Sequence, residues 1–129
     1  MTEKDFFQSY CKFADFTTSE YGKDDNIFKE KTGKLSAALN GNYSRLDNAV
    51  SGISGEAGEI ADLWKKIKFH GKEFNEENKE MLVKELGDMF WYLAQASIAL
   101  NVSMEEIINK NIEKLKARHP NGFSDKYMK

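Results

Sequence analysis

Two phrases of one pattern, Glu56-Ala57-Gly58-Glu59 and Glu85-Leu86-Gly87-Asp88, each run acid, apolar, glycine, acid. They lie symmetrically about one position: Glu56 with Asp88, and Glu59 with Glu85, are both centred on residue 72. That residue falls in Phe69-His70-Gly71-Lys72-Glu73, a glycine-containing break between two helical stretches. If the chain folds back there as an antiparallel helical hairpin, a rise of about 1.5 Å per residue sets both acid pairs at matching distances from the turn. Four carboxylates then converge between two helices. Like charges crowded in this way raise one another's pKa values, and a divalent cation removes the penalty. The repeat thus constrains the fold to a hairpin and the chemistry to an oxygen-ligand ion site.

The rest of the sequence agrees with an all-α, oligomeric helical bundle built around that central hairpin. A chain of 129 residues with 40% apolar content is long enough for one domain with its own core. It has a single proline and little β-branched alternation. Phe6, Phe7, Tyr10, Phe13, Ala14 and Phe16 predict a first helix over 4 to about 20. Residues 21–47 form a polar, variable connection with one short helix near 28–39. Val50, Ile53, Ala57, Ile60, Trp64 and Ile67 step by three and four as the seam of a helix starting near Asp47 or Asn48, with Trp64 in the core. Leu82, Leu86, Met89, Leu93, Ala96 and Leu100 form the stripe of a second, over 76–100. Its segment 89–94 is apolar nearly all round, which predicts a further partner on the Trp91 side, most simply another copy of the chain. Asn101-Val102-Ser103 ends that helix, Ser103 and Glu106 fit a capping box, and a last helix over 104–118 stops before Pro120.

A net charge of −2 gives no signal for nucleic acid or membrane as a partner. The acidic N-terminus and the lack of a long apolar run predict a soluble protein, and the lone Cys11, read as a packing residue, fits a reducing cytoplasm.

The i,i+3 spacing sets each acid pair on one helix face, flanking the apolar seam. A solvated acidic face is the ordinary reading of any single Glu-x-x-Glu. The repetition, the symmetry and the mid-helix glycines argue for convergence, with Gly52, Gly55, Gly58 and Gly87 letting the helices approach closely. A donor set of carboxylates alone suits Mg²⁺ or Mn²⁺. Such an ion with water in its shell handles phosphates. A di-iron bundle would expect Glu-x-x-His pairs, whereas His70 and His119 sit in the break and at a helix end. On the last helix Asn111 interrupts the inward stripe, with Lys114 and Arg118 following. They and Lys68 are candidate contacts for a polyphosphate. For Lys65, Lys66 and Lys68 alike, solvated surface is the favoured reading and a polyphosphate contact the alternative. Phe13, Phe16 and Tyr21 read as core or as a platform for a base.

Three motifs in order carry a resemblance. Gly55-Glu56-Ala57-Gly58-Glu59-Ile60 comes first, then Glu85-Leu86-Gly87-Asp88 with Trp91-Tyr92. Asn111-Ile112-Glu113-Lys114-Leu115 and Arg118-His119-Pro120-Asn121-Gly122-Phe123 follow. Together they resemble the MazG-like nucleoside triphosphate pyrophosphohydrolases, over about 48–124 of a single domain spanning 1–129. The resemblance implies an all-α enzyme that binds Mg²⁺ through Glu56, Glu59, Glu85 and Asp88. It implies hydrolysis of nucleoside triphosphates, dNTPs included, to the monophosphate and pyrophosphate. It also implies that Asn111 and Lys114 face the phosphates and that the chain forms a homodimer or homotetramer. Gly55 stands where many members carry an additional acid. The alternative on the same fold is a non-catalytic nucleotide-binding or helical interaction module.

Overall fold

The computed structural model describes residues 2–123. Residue 124, the far limit of the resemblance, lies outside them. Among the described residues every regular element is a helix, apart from an isolated bridge between Pro120 and Gly122. Helices α1 (Glu3–Phe16), α2 (Asp25–Ala38), α3 (Tyr43–Phe69), α4 (Glu76–Leu100) and α5 (Met104–Arg118) follow in order, with a 3₁₀ turn at Glu20–Gly22. The chain divides into two compact units, residues 1–41 and 42–129.

In the first unit, Thr2 and Asp5 form a reciprocal capping box that starts α1. The helix ends at Phe16, short of the predicted 20, where the Thr17 and Thr18 hydroxyls donate to carbonyls of the last turn. Competition of this kind for backbone acceptors is what makes threonine a poor helix continuer. Asp24 caps α2, which packs against the 3₁₀ turn. Phe13 and Phe16 are exposed, and so is Tyr21, so none of the three forms a core. Cys11 is likewise exposed rather than packed.

The second unit is built on the α3–α4 hairpin. Helix α3 runs for 27 residues, about 40 Å, and begins at Tyr43, ahead of the Asp47 or Asn48 start read from capping preference. Residues 70–75 make the connection. Gly71 takes φ +77°, and the Asn75 side chain accepts the Asn78 N–H to start α4. The buried Asn78 amide donates in turn to the Glu73 carbonyl, fastening the connection to the first turn of the helix. At the opposite end of the hairpin Arg45 Nη1 donates to Gln95 Oε1 at 2.6 Å. Asn101, at φ +54°, closes α4, and the Ser103 hydroxyl accepts the Glu106 N–H to open α5.

The buried side of α3 is one residue out from the predicted stripe. Ala49 and Leu63 are buried, and Ile53, Glu56, Ile60 and Ile67 are half-buried. Val50, Ala57 and Trp64 are exposed, Trp64 by 48%. The reason lies at Gly52. A Cβ there would come within 2.1 Å of the Tyr92 ring, so the seam side of α3 is the side that can receive Tyr92. This rotation carries Glu56 into the hairpin seam. On α4, Leu82, Met89, Leu93 and Ala96 are half-buried, while Leu86, Phe90, Trp91 and Leu100 remain exposed.

Candidate metal centre

Antiparallel packing of α3 on α4 brings the two acid phrases together. One carboxylate oxygen from each of Glu56, Glu59 and Glu85 lies within 4.8 Å of the others. Glu56 and Glu85 are half-buried in the seam, and Glu59 is exposed at its edge. Oxygens sharing one Mg²⁺ at about 2.1 Å stand at most about 4.2 Å apart, so a small contraction would bring all three onto one ion.

The electrostatics of the cluster are those of a site built for positive charge. Glu56 Oε2 and Glu85 Oε2 are buried and meet no hydrogen-bond donor. Ionised carboxylates can only accept, so a shared proton or a cation would satisfy the pair. Proton sharing with Glu56 is the main influence raising the Glu85 pKa. Burial and the charges of Glu56 and Asp88 add to it, while Glu59 pulls the other way. Proton sharing with Glu85, then its charge, pushes Glu59 upward, and Asp88 contributes a smaller repulsion. Asp88 is exposed and stands outside the close triad, acting on it through its field. Oxygen donors without sulfur or imidazole, short of compensating charge, fit a hard divalent cation.

Beside the triad lies a cleft of about 410 Å³, lined by Gly55, Gly58, Glu59, Asp62, Leu63, Lys66, Lys72, Met81 and Glu85. A Cβ at Gly55, Gly58 or Gly87 would meet no atom within 4 Å. These glycines therefore do not bring the helices into close approach, as their spacing had suggested. Only Gly52 does that. Gly55 and Gly58 instead leave open space on the floor of the cleft.

Residues 45–123 match the MazG nucleotide pyrophosphohydrolase domain. The chain belongs to this family. The Gene 37 protein of Mycobacterium phage L5 is a relative, 39% identical over 79 residues that cover 60% of this chain and 68% of that one. No solved structure matches. The matched MazG domain contains both acid phrases and all of the hairpin but the first two residues of α3.

Within this MazG domain the predicted phosphate contacts are not among the residues that line the cleft. Asn111, Lys114 and Arg118 lie on α5, exposed, and none lines the cleft. The Lys68 ammonium sits over the Phe69 ring, 5.1 Å from its centroid, and also lies off the cleft. Lys72 was not singled out from sequence, yet it lines the cleft. The signal available was its place at the centre of symmetry of the acid pairs, the point where a hairpin must turn.

Proposed function

We propose that this MazG domain hydrolyses nucleoside triphosphates, dNTPs among them, to the monophosphate and pyrophosphate with Mg²⁺, or Mn²⁺ in its place. The observation that carries the reading is the convergence of Glu56, Glu59 and Glu85 from two helices, with two of their oxygens buried and unsatisfied. These three, with Asp88 beside them, would hold the ion. When bound, it would offset charge on the phosphate oxygens and lower the pKa of a water.

The chain's own residues then have defined work. The cleft admits the polyphosphate with its α–β bridge against the carboxylates. A water oxygen bonds to phosphorus, and the bond from phosphorus to the bridging oxygen breaks with its electron pair remaining on pyrophosphate. The water proton passes to a carboxylate. Glu59, exposed and lining the cleft, is the carboxylate proposed to take it. Contacts of Asn111, Lys114, Arg118 and Lys68 with phosphate rest on the resemblance and not on the lining of the cleft.

The proposal includes a homodimer or homotetramer acting in the cytoplasm. Exposure of Leu86, Phe90, Trp91 and Ile98, each by half or more, supports a further subunit against α4. Among the described residues no helix is long and apolar enough to cross a membrane.

The test is a panel of NTPs and dNTPs assayed for pyrophosphate. Release with Mg²⁺ from at least one of them, abolished by EDTA, is the expected result. Glu59→Ala and Asp88→Ala should each lose about 100-fold or more. Undiminished release by either variant removes that residue from the site, and no release from any nucleotide refutes the activity.

A further inference from the structure

On α3 the residues lining the cleft run from Gly55 and Gly58 past Glu59 and Asp62 to Lys66, the connection adds Lys72, and the backbones of these two lysines are fastened together. The Lys66 carbonyl accepts both the His70 N–H at 3.1 Å and the Lys72 N–H at 3.2 Å. Gly71 makes the second bond possible, since its φ of +77° is a conformation that side chains disfavour. The chain reversal after α3 therefore returns residue 72 beside residue 66, and both line the cleft.

The two lysines differ in what holds them. Lys66 Nζ is 2.9 Å from Asp62 Oδ2, an ion pair with the residue one turn back along α3. Lys72 is half-buried and makes no ion pair with any described residue. A half-buried lysine packs its aliphatic stem and keeps its ammonium, a strongly hydrated point charge, free for water or for an anion. This one stands in the same cleft as three acids yet pairs with none of them. An anion that fills the cleft would provide the missing partner. Gly55 and Gly58, on the far side of Glu59 from Lys66 along α3, have open space over both and keep the cleft clear beside the acids.

The geometry points to Lys72, with Lys66 beside it, as the binding site for the phosphates remote from the cleaved bond, so that the polyphosphate tail runs from the acids toward the hairpin connection. This deepens the reading given under Proposed function and rests on it for the direction of the tail. The cleft then selects for chain length: a triphosphate spans from acids to lysines, and a shorter phosphate chain leaves Lys72 unfilled. A charge-assisted contact of this kind, once lost, is worth about tenfold in affinity or more.

Two measurements test it. Binding of inorganic tripolyphosphate with Mg²⁺, followed by calorimetry, needs no turnover. Wild type is expected to bind, Lys72→Gln about tenfold more weakly, and Lys66→Gln/Lys72→Gln more weakly still, with Lys72→Arg restoring most of the loss. In the second, KM for the best nucleoside triphosphate rises about tenfold in Lys72→Gln, more than kcat changes. The inhibition constant of the matching diphosphate stays the same, and so does Mn²⁺ affinity read by electron paramagnetic resonance. Circular dichroism checks that each variant is folded. Tripolyphosphate affinity unchanged in the double variant, or no binding by wild type, overturns the lysine site. Absence of pyrophosphate release by a wild-type protein that does bind tripolyphosphate through these lysines instead overturns the hydrolase reading and leaves the anion site standing.

Discussion

Glu85 stands half-buried in the hairpin seam with one oxygen that meets no donor, and its proton is held to higher pH than in an unfolded chain. Above the ordinary glutamate range the folded state therefore binds more protons than the unfolded state. By linkage, metal-free stability falls as pH rises through the raised pKa and returns as pH falls through it. Asp5, lowered by its bonds to Thr2, and Asp62, lowered by Lys66, work in the opposite sense and lose stability in acid. Both are common to wild type and variant, so they cancel in a comparison. Metal-free Glu85→Gln is expected to melt above wild type near neutral pH, with the gap closing as pH falls toward the carboxylate range. Equal melting temperatures at every pH would show that the cluster carries no strain. Gly58 gives the complementary case. Its Cβ position is open, so Gly58→Ala should keep or gain stability, by up to about 1 kcal/mol from helix propensity. Because the new methyl enters the cleft, the same change should raise KM for the nucleotide, and steady-state kinetics beside a melting curve will separate the two effects.

At the scale of elements, the α3–α4 pairing depends on Gly52 receiving the Tyr92 ring. Gly52→Ala is expected to destabilise by about 1–3 kcal/mol, the usual cost of overpacking a filled seam. Gly52→Ala/Tyr92→Leu should recover part of the loss, and a urea double-mutant cycle measures how much. Additive losses would mean that the contact does not set the pairing. This contact also explains what could be read from the sequence. The hairpin, its turn near residue 72 and the meeting of the acid phrases follow from periodicity and symmetry alone. The face of α3 that turns inward does not. Ile53, Ile60 and Ile67 serve two adjacent stripes, one continued by Val50, Ala57 and Trp64, the other by Ala49, Glu56 and Leu63. Hydropathy favours the first, but shape decides for the second, and shape depends on a residue 40 positions away in the chain. The place of Lys72 in the cleft is not legible in the sequence for a related reason, since it comes from a backbone reversal that periodicity does not record.

For the molecule as a whole, apolar burial within the chain is small. In the hairpin unit Ala49, Leu63 and Ala99 are the buried apolar residues among those described, while Phe90 is 65% exposed. A single copy with so little covered surface is poorly placed to offset the conformational entropy of ordering its helices. Light scattering is expected to give a mass of two or four chains, and the melting temperature should rise with protein concentration. Phe90→Lys/Trp91→Glu should lower both. A monomeric mass with a concentration-independent melt would count against a further subunit on α4.

The hairpin is tied at both ends, by Asn78 on the Glu73 carbonyl at the connection and by Arg45 on Gln95 at the opening, while its middle holds carboxylates that repel. Such a clasp bows where it is charged and stays shut where it is bonded. In the empty protein, amide exchange should be fastest around residues 56–59 and 85–88 and slow at the two ties. A divalent ion would then act as a rivet at mid-span, quieting that stretch first and drawing the two helices into a single stiff beam.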